Sequence, residues 1–408
     1  MSSPSTPSTP SGAQAVHASE QPASGKAYLA LALATIGFGL NFWAWALLSP
    51  LGPVFVKTGV AADAALIVAV PVLVGSLGRI LVGAYTDRFG GRLMFPLLSV
   101  ATIIPVLFLG LLGQTSLPGL LVGGFFLGIA GTTFAIGIPY VNSWFPPAKR
   151  GMATGIYGMG MGGTAISAFT TVKLWNGMGH AAPFAITAIV LAVYAIAAWF
   201  LMPTAPSWTR SDRTIAERLG GVMKLPLTWQ SAYLSAISFG GYVAFSVCLP
   251  TMLSTWYGLE LTDAAARMAG FVIAAVLMRP VGGTLADRLG ATVTLAFSYG
   301  LVIVAAAVLV FHPALMPLGT IAFFAMAIGL GLGTGAVFAL IGQTSDPAQV
   351  GSITGFVGAA GGLGGFVPPL IMSAVHNATG SYSWGVVLLM AAAVAALILT
   401  LIVGRRAR

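Results

Sequence analysis

Twelve apolar stretches, each about twenty residues long, follow one another between residues 27 and 404; at about 1.5 Å of helical rise per residue, each can cross a ~30 Å hydrocarbon core. They cover residues 27–49, 62–86, 92–113, 117–142, 150–173, 182–202, 229–255, 265–286, 291–311, 315–342, 350–374 and 383–404. A water-facing surface is ruled out, because only 18 Lys or Arg and 9 Asp or Glu occur among 408 residues, 7% charged against roughly 25% for a soluble protein. The 53 glycines fit helices that must approach one another closely where no water drives them together. An all-α integral membrane fold of twelve transmembrane helices is therefore expected. Cys248 stands alone, so no internal disulfide can form.

The formal charge of +9 could signal nucleic acid, but its position argues otherwise. With the spans assigned to alternate sides, thirteen Lys or Arg fall on one side: Lys26, Arg88, Arg92, Lys149, Arg150, Arg210, Arg213, Arg218, Lys224, Arg288, Arg405, Arg406 and Arg408. Lys57, Lys173 and Arg267 fall on the other. Basic residues accumulate on the cytoplasmic side, so both termini are expected there, in a cell's inner (plasma) membrane and with no nucleic-acid partner. Residues 1–26, rich in Ser, Pro, Thr and Ala, read as a disordered cytoplasmic tail. Residues 203–228 read as a cytoplasmic linker between six-helix halves at 27–202 and 229–404, and 405–408 as a basic C-terminal tail.

An internal repeat supports two halves. Arg79, Gly83, Asp87, Arg88 and Gly90 recur 200 residues later as Arg279, Gly283, Asp287, Arg288 and Gly290. Gly151, Thr154, Gly155, Gly158 and Gly162 recur as Gly351, Thr354, Gly355, Gly358 and Gly362. A constant offset that includes an Arg and an Asp-Arg pair is the mark of parallel repeats around a central pathway.

Arg79 in span two and Arg279 in span eight each precede the Asp of the following turn by eight residues, which puts them about 12 Å inside the membrane on a straight helix. A guanidinium at that depth costs at least ~2.5–3.5 kcal/mol and normally has a partner. None of the nine acidic residues (Glu20, Asp63, Asp87, Asp212, Glu217, Glu260, Asp263, Asp287, Asp346) is expected in mid-membrane. The missing counter-ion is then the substrate, and a planar fork suits a planar oxyanion such as a carboxylate, nitrate or nitrite. The competing reading has the arginines bonding backbone carbonyls or water and only tying helices together.

Spans five and eleven are glycine-rich. Gly158, Gly160 and Gly163 satisfy G-x-G-x-x-G, but no strand precedes them, so dinucleotide binding is excluded. Gly151/Gly155, Gly158/Gly162 and their repeats form GxxxG pairs, which serve close helix packing, contact an anion, or let the helices bend. The Asp87–Arg88 and Asp287–Arg288 turns read as gating latches. His312, His376 and Lys173 lie near helix ends, no metal spacing or nucleophile constellation is present, and neither an enzyme nor a cofactor is expected.

GAYTDRFGGR (83–92) and GGTLADRLG (282–290) resemble the loop motif of the major facilitator superfamily. Together with Arg79, Arg279 and the glycine-rich spans, the chain resembles the nitrate/nitrite porter family. In that family two arginines hold the anion and aromatic rings sandwich it. The resemblance implies substrate-binding roles for Arg79, Arg279, Phe134 (in AGTTFAIG, 130–137), Phe239 (in SFGGYVAFS, 238–246), Gly158, Gly162, Gly358 and Gly362. The chain departs from the family in span five, with Met161, Gly162 and Gly163 where asparagine is frequent and Tyr157 at another position that is often polar. Asn41, Asn142, Tyr140, Thr132 and Thr133 are candidates to restore hydrogen bonds. The expectation is a monomeric secondary transporter, embedded in lipid, that moves nitrate and nitrite by alternating access, as exchange or with protons. A porter of formate or oxalate is the second reading, and a channel or sensor a third class.

Overall fold

The structure, a computed structural model, describes residues 25–62, 65–205, 208, 214–379 and 382–406. Of the expected tails, residues 1–24 and 407–408 lie outside the described residues, as does part of the linker at 203–228, whereas residues 25–26 and 405–406 belong to the first and last helices. The described chain is helical throughout. We label α1 (Gly25–Lys57), α2 (Ala65–Phe89), α3 (Gly91–Leu111), α4 (Leu117–Asn142), α5 (150–178), α6 (Ala182–Leu201), α7 (Pro226–Tyr257), α8 (Leu261–Leu289), α9 (Ala291–Val310), α10 (Thr320–Thr344), α11 (Val350–Thr379) and α12 (Ser383–Arg406). A short helix, Ile215–Met223, precedes α7 and starts at a capping box in which Thr214 and Glu217 satisfy each other's backbone N–H groups.

Ten of the described helices are long and apolar enough to cross a membrane, against twelve expected. The two others are the expected fifth and seventh. The glycines and threonines of α5 dilute its apolar character, and some side chains of α7 lie outside the described residues. Large apolar side chains such as Ile104, Val193, Phe200 and Phe297 stand exposed around the outside, as a bundle in hydrocarbon requires.

Three helices of the first six are interrupted where their repeat counterparts run straight: α1 turns between Trp45 and Leu48 while α7 continues, and the other two are α4 and α5. A 3-10 stretch, Gly128–Thr133, interrupts α4 just before Phe134, and another, Met159–Gly162, interrupts α5. The α10 and α11 helices continue through the equivalent positions. Such breaks loosen the regular i to i−4 ladder and leave carbonyls turned toward other partners.

The α2 helix packs along α11, and α5 packs along α8 and α10. These contacts are close both at the level of the buried arginines and at the end of the bundle that carries Arg88, Arg150 and Arg288, hereafter the basic end. At the basic end the turns α2–α3 and α8–α9 pivot on Gly90 (φ 80°) and Gly290 (φ 92°), a backbone geometry that side chains other than glycine resist. A Cβ on Gly83 would overlap the Gly351 carbonyl, and one on Gly283 would overlap the Gly151 carbonyl. Backbone thus lies against backbone across both contacts. Gly283→Ala should therefore force α8 from α5 and lower transport about tenfold, because overpacking of this kind costs ~1–3 kcal/mol. Gly300→Ala in α9, where no atom lies within 4 Å of the added Cβ, should transport like the parent protein. Uptake by the two variants at equal protein amounts in vesicles checks the contrast; equal rates would contradict the packing argument.

Candidate functional site

Arg79 and Arg279 end up in the middle of the bundle, 1% and 2% exposed. Their fixing bonds cross between the repeats. The Arg79 Nη1 donates to the Gly358 carbonyl of α11 (2.8 Å), and the Arg279 Nη1 donates to the Gly158 carbonyl of α5 (3.0 Å). Each arginine therefore holds the glycine that is the repeat counterpart of the other's partner. Arg79 makes a further bond, from Nε to the Gly131 carbonyl (3.0 Å), which the 3-10 stretch of α4 presents. Gly158 sits directly at the start of the break in α5. The broken helices thus supply two of the three carbonyls that hold the guanidiniums.

Carbonyl bonding of this kind is what the competing reading of the arginines required, and it is present. It leaves part of the chemistry unused, however. The Arg279 Nη2 is buried with no hydrogen-bond partner, and neither guanidinium has a carboxylate in ion-pair reach among the described residues. A buried charged donor without an acceptor is costly and marks a place where an anion would be welcome.

Aromatic faces enclose the pair. Phe134 and Phe239 are parallel to within 3°, their centroids 6.2 Å apart. The Arg79 Cζ lies 5.3 Å from the Phe134 centroid and 5.7 Å from that of Phe239, while the Arg279 Cζ lies 5.5 Å from Phe239. Both charges therefore share the face of one ring, which partly compensates their repulsion. Sequence reasoning missed two further rings, Phe42 (5.9 Å from Arg79) and Tyr242 (5.6 Å from Arg279). They are themselves 200 residues apart, so the repeat contained the signal. The centre is tight in this conformation, with a cavity of about 10 Å³ beside Arg279, lined also by Phe134, Thr154, Thr334 and Phe338.

The glycines fall into two roles. Gly158 and Gly358 present their carbonyls to the arginines, and a Cβ on either would press on a guanidinium stem, 3.4 Å from the Arg279 Cδ and 3.2 Å from the Arg79 Cδ. A Cβ on Gly362 would lie 3.3 Å from the Arg79 Nη1 and run into the Ser76 hydroxyl. Gly162 has nothing within 4 Å of that position and opens on free space.

The other polar candidates are engaged elsewhere. Asn41 donates to the Gly37 carbonyl and to Ser99 and accepts from Thr102; the Thr132 and Thr133 hydroxyls donate to the Ile129 and Ala130 carbonyls; the Tyr140 hydroxyl donates to the Pro203 carbonyl. Asn142 is not at the centre but at the basic end, where it lines a separate cavity. The Tyr157 hydroxyl donates to the Thr133 carbonyl (2.8 Å), tying α5 to the break in α4. Among the described residues no three His, Cys, Asp or Glu side chains come together as metal ligands, and the His376 side chain lies outside them.

At the basic end, the Asp287 carboxylate accepts from the backbone N–H groups of Gly151 (2.9 Å) and Met152 (2.7 Å) and from the Gln343 amide (2.9 Å). Asp87 accepts from the N–H groups of Gly351 (2.9 Å) and Ser352 (2.8 Å) and from the Ser352 hydroxyl (2.7 Å). Each carboxylate caps the first turn of a helix across the bundle, where backbone donors and the helix dipole favour negative charge. The neighbouring arginines differ from that pattern: Arg88 lies 5.5 Å over the Phe89 ring, and Arg288 is exposed.

The Major Facilitator Superfamily profile matches residues 34–369. The chain is 46% identical over 375 residues to the probable nitrate/nitrite transporter NarK2 of Mycobacterium tuberculosis, covering 90% of this chain and 94% of that one. It is 33% identical to the nitrite extrusion protein of Bacillus subtilis (92% and 94% covered) and 34% identical to the probable nitrate transporter NarT of Staphylococcus epidermidis (86% and 90%). Among solved structures, the human organic anion transporter MFSD10 superposes with a TM-score of 0.77 at 14% identity, covering 93% of this chain and all (100%) of that one. FucP in its outward conformation gives 0.72 at 15%, covering 92% and 98%. At those identities the likeness concerns the fold alone.

Proposed function

The chain belongs to the Major Facilitator Superfamily, and on that premise we propose that it carries nitrate and nitrite across a membrane by alternating access, with Arg79 and Arg279 holding the anion. One observation carries the site assignment: two buried guanidiniums, cross-linked between the repeats, share the Phe239 face without a carboxylate and with one Nη of Arg279 unsatisfied. A planar anion between the Phe134 and Phe239 rings would accept N–H bonds from the forks in its own plane. Gly158, Gly162, Gly358 and Gly362 line its passage on α5 and α11.

The halves at 27–202 and 229–404 rock about this site, and the turns with Asp87, Arg88, Asp287 and Arg288 gate the basic end. Asp87 and Asp287 form the latch; Arg88 and Arg288 supply positive charge that draws anions to the mouth. The basic end faces the cytoplasm of a cell's plasma membrane, with both termini on that side and the protein acting as a monomeric transporter, not an enzyme. Nitrate and nitrite suit the relatives better than formate or oxalate do, since three of them are described as nitrate or nitrite proteins.

Exchange fits the site better than proton symport. No carboxylate or histidine accompanies the arginines among the described residues, so an anion is what makes closure of the positively charged centre favourable in both directions. In proteoliposomes of the purified protein, nitrate uptake should require internal nitrite or nitrate and ignore an imposed pH gradient. Uptake driven by protons into anion-free vesicles would establish symport instead, and no uptake under either condition would defeat the nitrate assignment.

A further inference from the structure

The second arginine-bearing cavity lies away from the centre. About 410 Å³ in volume, it opens at the basic end between the α2–α3 turn, the last turn of α4, the first of α5, the end of α6 and the α10–α11 turn. Most of its polar lining is bonded within the protein, but two side chains are not. Both amide atoms of Asn142, a side chain only 4% exposed, lack any hydrogen-bond partner, and so does the buried indole N–H of Trp208. Arg92 is exposed at the rim and donates from Nη1 to the Thr204 hydroxyl (3.0 Å); Arg150 donates to the Phe145 and Gly342 carbonyls (3.2 and 2.8 Å). Asp87 also lines the space, but its carboxylate is turned to the start of α11.

The repeat shows that this polarity is not required for packing. Two hundred residues on, Asn142, Arg92 and Arg150 are replaced by Gly342, Thr292 and Val350. The two arginines and the asparagine of this cavity are thus particular to the first half, and with the Asp87 carboxylate engaged by α11 the side chains left to a ligand are donors that suit an anion. Its mouth identifies the source. Phe89 and Trp199, 38% and 51% exposed, line it from the lipid-facing sides of α2 and α6, with Trp199 in the last turn of its helix, where tryptophans mark the membrane interface.

We propose that this cavity seats the phosphodiester headgroup of an anionic phospholipid from the leaflet at the basic end. The phosphate oxygens accept from Arg92, the Asn142 amide and the Trp208 indole, and the acyl chains stay outside on Phe89 and Trp199. The volume suits a glycerophosphate group and excludes the chains. Because Pro347 and Ala348 of the α10–α11 turn form the opposite wall, a seated headgroup bridges the two sides of the gate and favours the closed basic end. The orientation proposed above supplies only the name of the leaflet, the cytoplasmic one.

The test reads lipid and not nitrate, so its failure leaves the transport reading standing. Full-length protein is taken from nanodiscs containing phosphatidylcholine and phosphatidylglycerol, and retained lipid is counted by native mass spectrometry. One phosphatidylglycerol per chain should survive, in preference to phosphatidylcholine, and inorganic phosphate should not displace it. Arg92→Gln, at an exposed rim position, and Asn142→Leu should each lower that occupancy about tenfold, as loss of a charge-assisted or buried bond to phosphate predicts. Wild-type retention by both variants, or equal retention of the two lipids, overturns the proposal. Displacement by inorganic phosphate overturns the lipid source and gives the cavity to a soluble phosphate.

Discussion

Arg279→Lys should weaken nitrate binding about 10- to 100-fold while leaving the fold intact. The guanidinium spends Nη1 on the Gly158 carbonyl and leaves Nη2 free, so carbonyl and anion are held by one rigid plane. Lysine has a single nitrogen on a flexible stem; it can satisfy one of the two acceptors well or both poorly. One charge-assisted bond is worth ~1.5–3 kcal/mol, and each ~1.4 kcal/mol is tenfold in affinity. Arg79→Lys should show a mixed effect. Its two carbonyl bonds tie α2 to both α4 and α11, so thermal stability falls together with affinity. Replacing either arginine by alanine removes half of the positive charge at the centre and should abolish measurable uptake. Nitrate affinity from substrate-dependent thermal shift, read beside the melting temperature without nitrate, separates the two arginines. Parent-like affinity in Arg279→Lys would refute the role given to the fork.

How far the sequence alone reaches depends on whether a residue obeys the repeat. Arg79/Arg279, Asp87/Asp287 and Gly158/Gly358 share one offset, and a pseudo-twofold axis converts that offset into crossed contacts, Arg79 to Gly358 and Arg279 to Gly158. Phe42 and Tyr242 could have been found in the same way. Phe134 and Phe239 could not, because their counterparts are Thr334 and Gly39; family resemblance had to supply them. The breaks in α4 and α5 have no equivalent in α10 and α11, and glycine content does not predict them, since α11 is as rich in glycine and runs straight. Polar residues were the least legible. Asn41 and Asn142 read alike in an apolar helix, yet one is fully bonded to its neighbours and the other faces a cavity at the basic end. A hydrogen-bond partner close in space and distant in sequence leaves no local trace.

Asp287→Asn should slow transport about tenfold or more without weakening nitrate binding at the centre, the opposite of the arginine result. The carboxylate gathers three donors, two of them the backbone N–H groups that open α5, and does so only while α5 and α8 are together. Asparagine offers one acceptor oxygen and turns an NH₂ toward donors, so the closed basic end loses ~2–3 kcal/mol, on the scale of a buried bond to a charged group. That shifts the open-to-closed ratio by roughly 30- to 150-fold, since ~1.4 kcal/mol is tenfold. Asp87→Asn should act in the same direction, because Gly351 and the two groups of Ser352 present α11 to it in the same manner. Spin labels at Leu289→Cys and Lys149→Cys, both exposed, in a Cys248→Ser background would report the separation of α8 from α5. The distance distribution should lengthen in the Asn variants, and nitrate should restore only part of the short population. An unchanged distribution with slow transport would show that Asp287 acts on something other than the gate. The combination of normal affinity, a displaced equilibrium and slow turnover can arise only if closing the basic end is a separate step from gripping the anion, each stabilised by its own pair of repeat-related residues.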